Sequence, residues 1–103
     1  VGLRLTEGQL QQTLIEAARL YGWRVNHIRP ARTEQGWRTP VQGDVGFPDL
    51  VLARGGVVLF RELKSDRGRI GPGQAEWAEA IGDAYRIWRP ADLDEALREL
   101  RRQ

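Results

Sequence analysis

Leu10, Leu14, Ala17, Ala18 and Tyr21 recur at three- and four-residue spacing. That spacing predicts a helix over about Glu7 to Tyr21 with one apolar stripe. Thr6 stands at its cap, Gln9 three residues on completes a capping box, and Gly22 ends it. Trp23 to Arg29 then alternates as a strand does, and Pro30 stops it. From Arg32 to Gly46 no period is visible, and Gly36, Pro40, Gly43 and Gly46 punctuate the stretch, which predicts a long loop. Asp49 to Ala53 and Val57 to Lys64 are two further strands about the turn "RGG". Ser65 to Gly73 is a glycine-rich basic loop. A second helix follows over about Gln74 to Asp83, with Trp77, Ala78 and Ile81 facing inward. Tyr85 to Arg89 is a short strand. A last helix has Asp92 as cap, Glu95 three residues on, and Leu93, Ala96, Leu97 and Leu100 as its stripe. The order helix-strand-strand-strand-helix-strand-helix predicts one α/β domain over 1–103, a mixed sheet flanked by helices.

The central hairpin carries three charges in an otherwise apolar stretch. With Gly55 and Gly56 as the turn, Arg54 pairs with Val57, and counting back sets Asp49 opposite Glu62. Lys64, two residues on, shares the Glu62 face with Val58 and Phe60. Those apolar members predict that the face is covered near its start. Directly opposed side chains stand about 4.5–5.5 Å apart at Cβ, so two carboxylates there repel unless a cation lies between them. Mg²⁺ suits such a pair, because it takes one or two protein carboxylates and keeps several waters. Lys64 beside it can set a point charge against a phosphate or orient a water. Singly, each residue has an ordinary explanation: Asp49 as a turn cap after Pro48, Glu62 and Lys64 as open-face residues of an edge strand. Jointly, at the end of a covered face, that explanation weakens.

Four further positions bear on this centre. Glu7 shares a helix face with Leu10, Leu14 and Ala18 and can look toward the sheet; it also suits a helix N-terminus as a plain charge. Gln74 can bond a water or a phosphate, or merely finish a helix start. Arg67 and Arg69 flank Gly68 and can meet a DNA backbone or simply be solvated. His27 is the chain's one histidine, which rules out a histidine-rich zinc site and leaves a structural role or a minor substrate contact. Arg32 and Arg38, in the long loop, join the candidate nucleic-acid contacts.

Composition adds boundaries. At 103 residues and 41% apolar the chain can build one modest core. No run approaches the roughly 18 apolar residues of a membrane span, and the start shows no signal-peptide pattern. Without cysteine there are no disulfides and no thiolate metal sites, which fits a reducing, cytoplasmic setting. Net charge is only +2 with a pI near 9.7, and Lys64 is the sole lysine, so the basic surface is arginine, whose forks match phosphates.

"FPD" at Phe47 to Asp49 followed by "ELK" at Glu62 to Lys64 resembles the PD-(D/E)xK nuclease signature. "TEGQLQ", "GWRVNHIR", "GFPDLVL", "RELKSDRGRIGPGQAEW" and "YRIWRP" extend the likeness over nearly the whole chain, toward the VRR-NUC branch and its compact stand-alone forms from viruses and bacteria. The resemblance implies a restriction-endonuclease-like core. It implies Asp49, Glu62 and the Leu63 carbonyl as ligands of Mg²⁺ or Mn²⁺, Lys64 activating water, Glu7 completing the acidic cluster and Gln74 supporting the site. It further implies a homodimer resembling Holliday-junction resolvases and acting on branched DNA, in a bacterial cell or a virus-infected host cell. The Arg32 to Gly46 segment departs from the compact pattern, and with it the contacts that choose substrate shape. A rival reading keeps the fold and the basic rim without chemistry, as a silent nucleic-acid-binding or scaffold protein. Another is a dimerisation module, with the Trp88 strand or the Leu97 helix as seam.

Overall fold

The capping box forms as the sequence predicts. In the computed structural model, which describes residues 5–28, 31–33, 36–38 and 43–102 with the side chains of 31–33 and 36–38 outside the description, α1 spans Glu7–Leu20. The Gln9 N–H donates to Thr6 Oγ1 at 3.1 Å, and the Thr6 N–H donates to Gln9 Oε1 at 2.9 Å. Two donors that a helix start leaves orphaned are thereby satisfied. Leu10, Leu14 and Ala18 are buried, with Ala17 and Tyr21 packed beside them.

Six strands and two more helices follow: β1 (Arg24–His27), β2 (Ala31–Thr33), β3 (Gly36–Arg38), β4 (Leu50–Arg54), β5 (Val57–Leu63), α2 (Pro72–Ile81), β6 (Tyr85–Trp88) and α3 (Leu93–Arg102). The main sheet has the order β1-β4-β5-β6. β4 is antiparallel to β1 and β5, and β5 is parallel to β6, so the sheet is mixed. This element order and sheet are compatible with a generic restriction-endonuclease-like topology.

The two sides of the sheet differ. Leu50, Leu52, Leu59 and Leu63 face α1 and α3, where with Leu10, Leu14, Trp23, Trp88, Ala96 and Leu100 they form the core. The Trp23 indole N–H donates to the Leu100 carbonyl at 2.8 Å and ties the start of β1 to the end of α3. Each leucine removed fully from water contributes about 1.5–3 kcal/mol, so most of the burial stabilisation lies on this side. The other side, bearing Phe60 and Glu62, is covered by α2, whose Gln74 and Trp77 reach it.

Several boundaries differ from those the pattern predicts. The stretch read as a loop from Arg32 to Gly46 begins with part of an antiparallel hairpin, β2 pairing with β3 from Ala31↔Arg38 to Thr33↔Gly36. Its strands are three residues each, too short for period-two alternation to show. Helix α2 starts at Pro72, two residues before Gln74, because proline is suited to a first helical turn. Its inner residues Trp77, Ala78 and Ile81 are half-buried, since α2 covers one edge of a face and has no second helix to pack against. Before α3, Pro90–Asp92 forms a 3₁₀ turn, and Asp92 accepts from the Arg89 N–H at 2.9 Å. On β5 the covering also runs the other way. Val58 is 43% exposed, Phe60 is half-buried and Glu62 is buried, so the face closes toward its end, where the charges are.

Candidate metal centre

The hairpin register is the one the paired glycines dictate: Arg54↔Val57 through Leu50↔Arg61. Asp49 lies one residue beyond the last pair, facing Glu62. It has left the ladder, and its carboxylate Oδ2 accepts from the Leu63 backbone N–H at 2.9 Å. Pro48, fully buried beside it, carries no N–H to pair. On β1 the Ile28 N–H donates to the Asp49 carbonyl at 3.1 Å, which holds the Asp49 backbone from the opposite edge.

Glu62 is 3% exposed. Phe47 covers its side of the sheet, edge-on to Phe60 at 6.1 Å and to Trp77 at 4.9 Å between centroids. The Gln74 amide donates to Glu62 Oε2 at 2.8 Å, while Gln74 Oε1 accepts from the Gly71 N–H at 2.8 Å. Gln74 therefore caps its own helix with one end and holds the acid with the other. The Lys64 Nζ stands 3.9 Å from the same Oε2. Glu62 Oε1 is buried with no partner. Burial pushes the Glu62 carboxyl up to about 8, the Asp49 charge and a hydrogen bond to Asp49 add to this, Lys64 opposes it, and Glu7 adds the smallest upward push.

Asp49, Glu62, Lys64 and Gln74 are thus brought together, with the Leu63 backbone between them. Glu7 is exposed in the first turn of α1, and among the described residues no group of three or more acidic, histidine or cysteine side chains forms that could hold a metal. His27 pairs with Leu50, which puts it on the α1 side of the sheet, across from Glu62. Arg67 and Arg69 are exposed on the loop after Lys64. That loop is pinned: Arg89 Nη1 donates to the Ser65 and Gly68 carbonyls, each at 2.7 Å. Arg32 and Arg38 fall in β2 and β3, and their side chains lie outside the described residues.

Two residues that the sequence does not mark as part of the site matter here. Arg61, 1% exposed on the opposite side of β5, bonds the Phe60 and Ala84 carbonyls at 2.9 and 2.8 Å and Glu99 at 3.0 Å, with its guanidinium over the Trp88 ring. It braces β5 from behind. Tyr85, opening β6, pairs with Phe60 and lies on the Glu62 side. Period-two alternation in "YRIW" was a visible signal for its face, but its β5 neighbour depends on a crossover whose register no local pattern specifies.

The donor set fits a hard divalent cation. Two carboxylates, one with a buried oxygen lacking any partner, are the hard-oxygen donors Mg²⁺ and Mn²⁺ take, and Mg²⁺ completes its shell with water. Comparison with protein-family models, with curated proteins and with solved structures returned no match.

Proposed function

We propose that the chain is a divalent-metal-dependent endonuclease that hydrolyses DNA phosphodiester bonds, with branched DNA such as Holliday junctions or flaps as its substrate. The observation that carries this reading is the pair Asp49 and Glu62, side by side at the covered end of β5 with the chain's one lysine 3.9 Å from Glu62. Asp49, Glu62 and the Leu63 carbonyl would hold Mg²⁺ or Mn²⁺. When bound, such a cation lowers the pKa of a coordinated water and offsets negative charge on the phosphate. Gln74 keeps the Glu62 carboxylate in one orientation. Lys64 presents a fixed positive charge where the phosphate and attacking water meet. The Phe47–Phe60–Trp77 cover limits water around Glu62, which strengthens these interactions. Arg67 and Arg69 meet the DNA backbone on a loop already ordered by Arg89, with Arg32 and Arg38 as further contacts. Recognition of this kind reads shape and phosphate rather than base sequence. A homodimer would present two sites to the two strands of a junction.

The test is a cleavage panel of flaps, forks, four-way junctions, nicked duplex and single strands with Mg²⁺, Mn²⁺ or chelator. Asp49→Asn and Glu62→Gln are expected to lose at least a hundredfold in rate while DNA binding changes little, on the order of what removing one charge-stabilising group costs. Full-rate cleavage by both variants removes the proposal.

A second reading, a silent nucleic-acid-binding or scaffold protein on the same fold, is favoured by one observation: among the described residues the acids gather as two, not three. It predicts chelator-insensitive DNA binding and intact DNA across the whole panel.

A further inference from the structure

The Tyr85 hydroxyl is buried and has no hydrogen-bond partner. A buried hydroxyl usually finds one, and leaving the group unpaired costs about 1–3 kcal/mol. Phenylalanine would fill the same space without that cost. The strand register sets the ring on the side of the sheet that holds the acids: Tyr85 pairs with Phe60, and Ile87 with Glu62. Glu62 Oε1, on that same side, is likewise buried without a partner. The two do not bond each other, and both face the side of the sheet that holds the acids. Burial first, then the charges of Glu62 and Asp49, push the Tyr85 hydroxyl up to about 12. It therefore stays a neutral phenol at any ordinary pH.

We propose that Tyr85 is a positioning residue of this centre, its phenol oxygen accepting a hydrogen bond from a water of the cation that Asp49 and Glu62 would hold. This rests on the metal-dependent reading above. The chemistry is that of an outer-shell partner, which fixes the orientation of what the metal holds without touching the metal itself. It also accounts for a hydroxyl retained where an apolar ring alone would pack. Gln74 and Tyr85 then divide the work: the amide orients Glu62, and the phenol orients the water shell on the β6 side.

The experiment is Mn²⁺ binding to the full chain, measured by the paramagnetic resonance of free Mn²⁺, for the wild type, Tyr85→Phe and Asp49→Asn, with melting curves in chelator alongside. Tyr85→Phe is expected to weaken Mn²⁺ binding about tenfold or more, the usual range for loss of such a partner. Its metal-free melting midpoint is expected to equal or exceed that of the wild type. Mn²⁺ affinity within twofold of the wild type overturns the proposal, whatever the midpoint does, because a packing role alone would leave the metal unaffected. A wild type without saturable Mn²⁺ binding, or an Asp49→Asn variant that binds as tightly, overturns the metal-centre reading and this inference with it.

Discussion

Glu62 is held by groups that want opposite things from it. Burial and Asp49 favour its protonated form, while Lys64 favours the ionised one. The result, a carboxyl raised to about 8 from an ordinary 4.5, makes a stability statement. Below about 4.5 the group is protonated in the folded and unfolded chain alike. Between that value and about 8 the unfolded chain has released the proton and the folded one retains it, so folding loses stability as pH rises through this window. Glu62→Gln keeps the shape and removes the titration. In chelator, the variant is expected to gain stability relative to the wild type as pH goes from 4.5 to 8.5, read from urea unfolding at both ends. A difference independent of pH would show that Glu62 ionises normally. Residue-scale chemistry of this kind was partly legible beforehand. The opposition of Asp49 and Glu62 follows from the turn at Gly55 and Gly56, both with positive φ, and from simple counting. Tyr85 and Arg61 were not legible, because their roles arise from contacts between strands and helices distant in sequence.

At the scale of elements, the approach to Asp49 is locked onto the start of α2 by two facing glycines. A Cβ on Gly46 would collide with the Gly73 carbonyl carbon and lie 2.6 Å from the Gln74 nitrogen, and one on Gly73 would lie 2.8 Å from the Val45 carbonyl oxygen. The Trp77 indole N–H completes the clasp by donating to the Asp44 carbonyl at 3.2 Å. Backbone meets backbone here, so nothing flexible can yield. Gly46 also has φ +93°, a region side chains rarely enter. Gly46→Ala is expected to cost about 1–3 kcal/mol in urea unfolding and to slow cleavage by displacing Gln74. Gly55→Asn, in open space with φ +57°, is expected to stay within about 0.5 kcal/mol of the wild type. Equal losses would mean that the clasp carries no special strain. The helices and hairpin were readable because stripes, caps and a glycine pair act locally. The β2–β3 hairpin escaped because three-residue strands carry no usable period. The direction in which the β5 face closes escaped because its cover, Phe47 with Trp77, comes from two segments 30 residues apart in the chain.

At the scale of the molecule, the sheet separates two tasks. One side, under α1 and α3, holds every fully buried leucine of the core. The other, under α2, holds the acids, the orphan hydroxyl and the aromatic cover, and α2 itself has no fully buried residue. Among the described residues no helix is long and apolar enough to cross a membrane. The bulk of the burial and the candidate site thereby lie in different layers of one small fold.

The thinness of that second layer has a thermal consequence. Elements with little buried apolar area open at lower free energy than the core. Amides of α2 are accordingly expected to exchange with deuterium faster than those of α1, read by mass spectrometry of peptic fragments; equal protection would argue for a single cooperative unit. On warming, the layer over Glu62 would therefore loosen several degrees before the core melts, and would re-form when cooled.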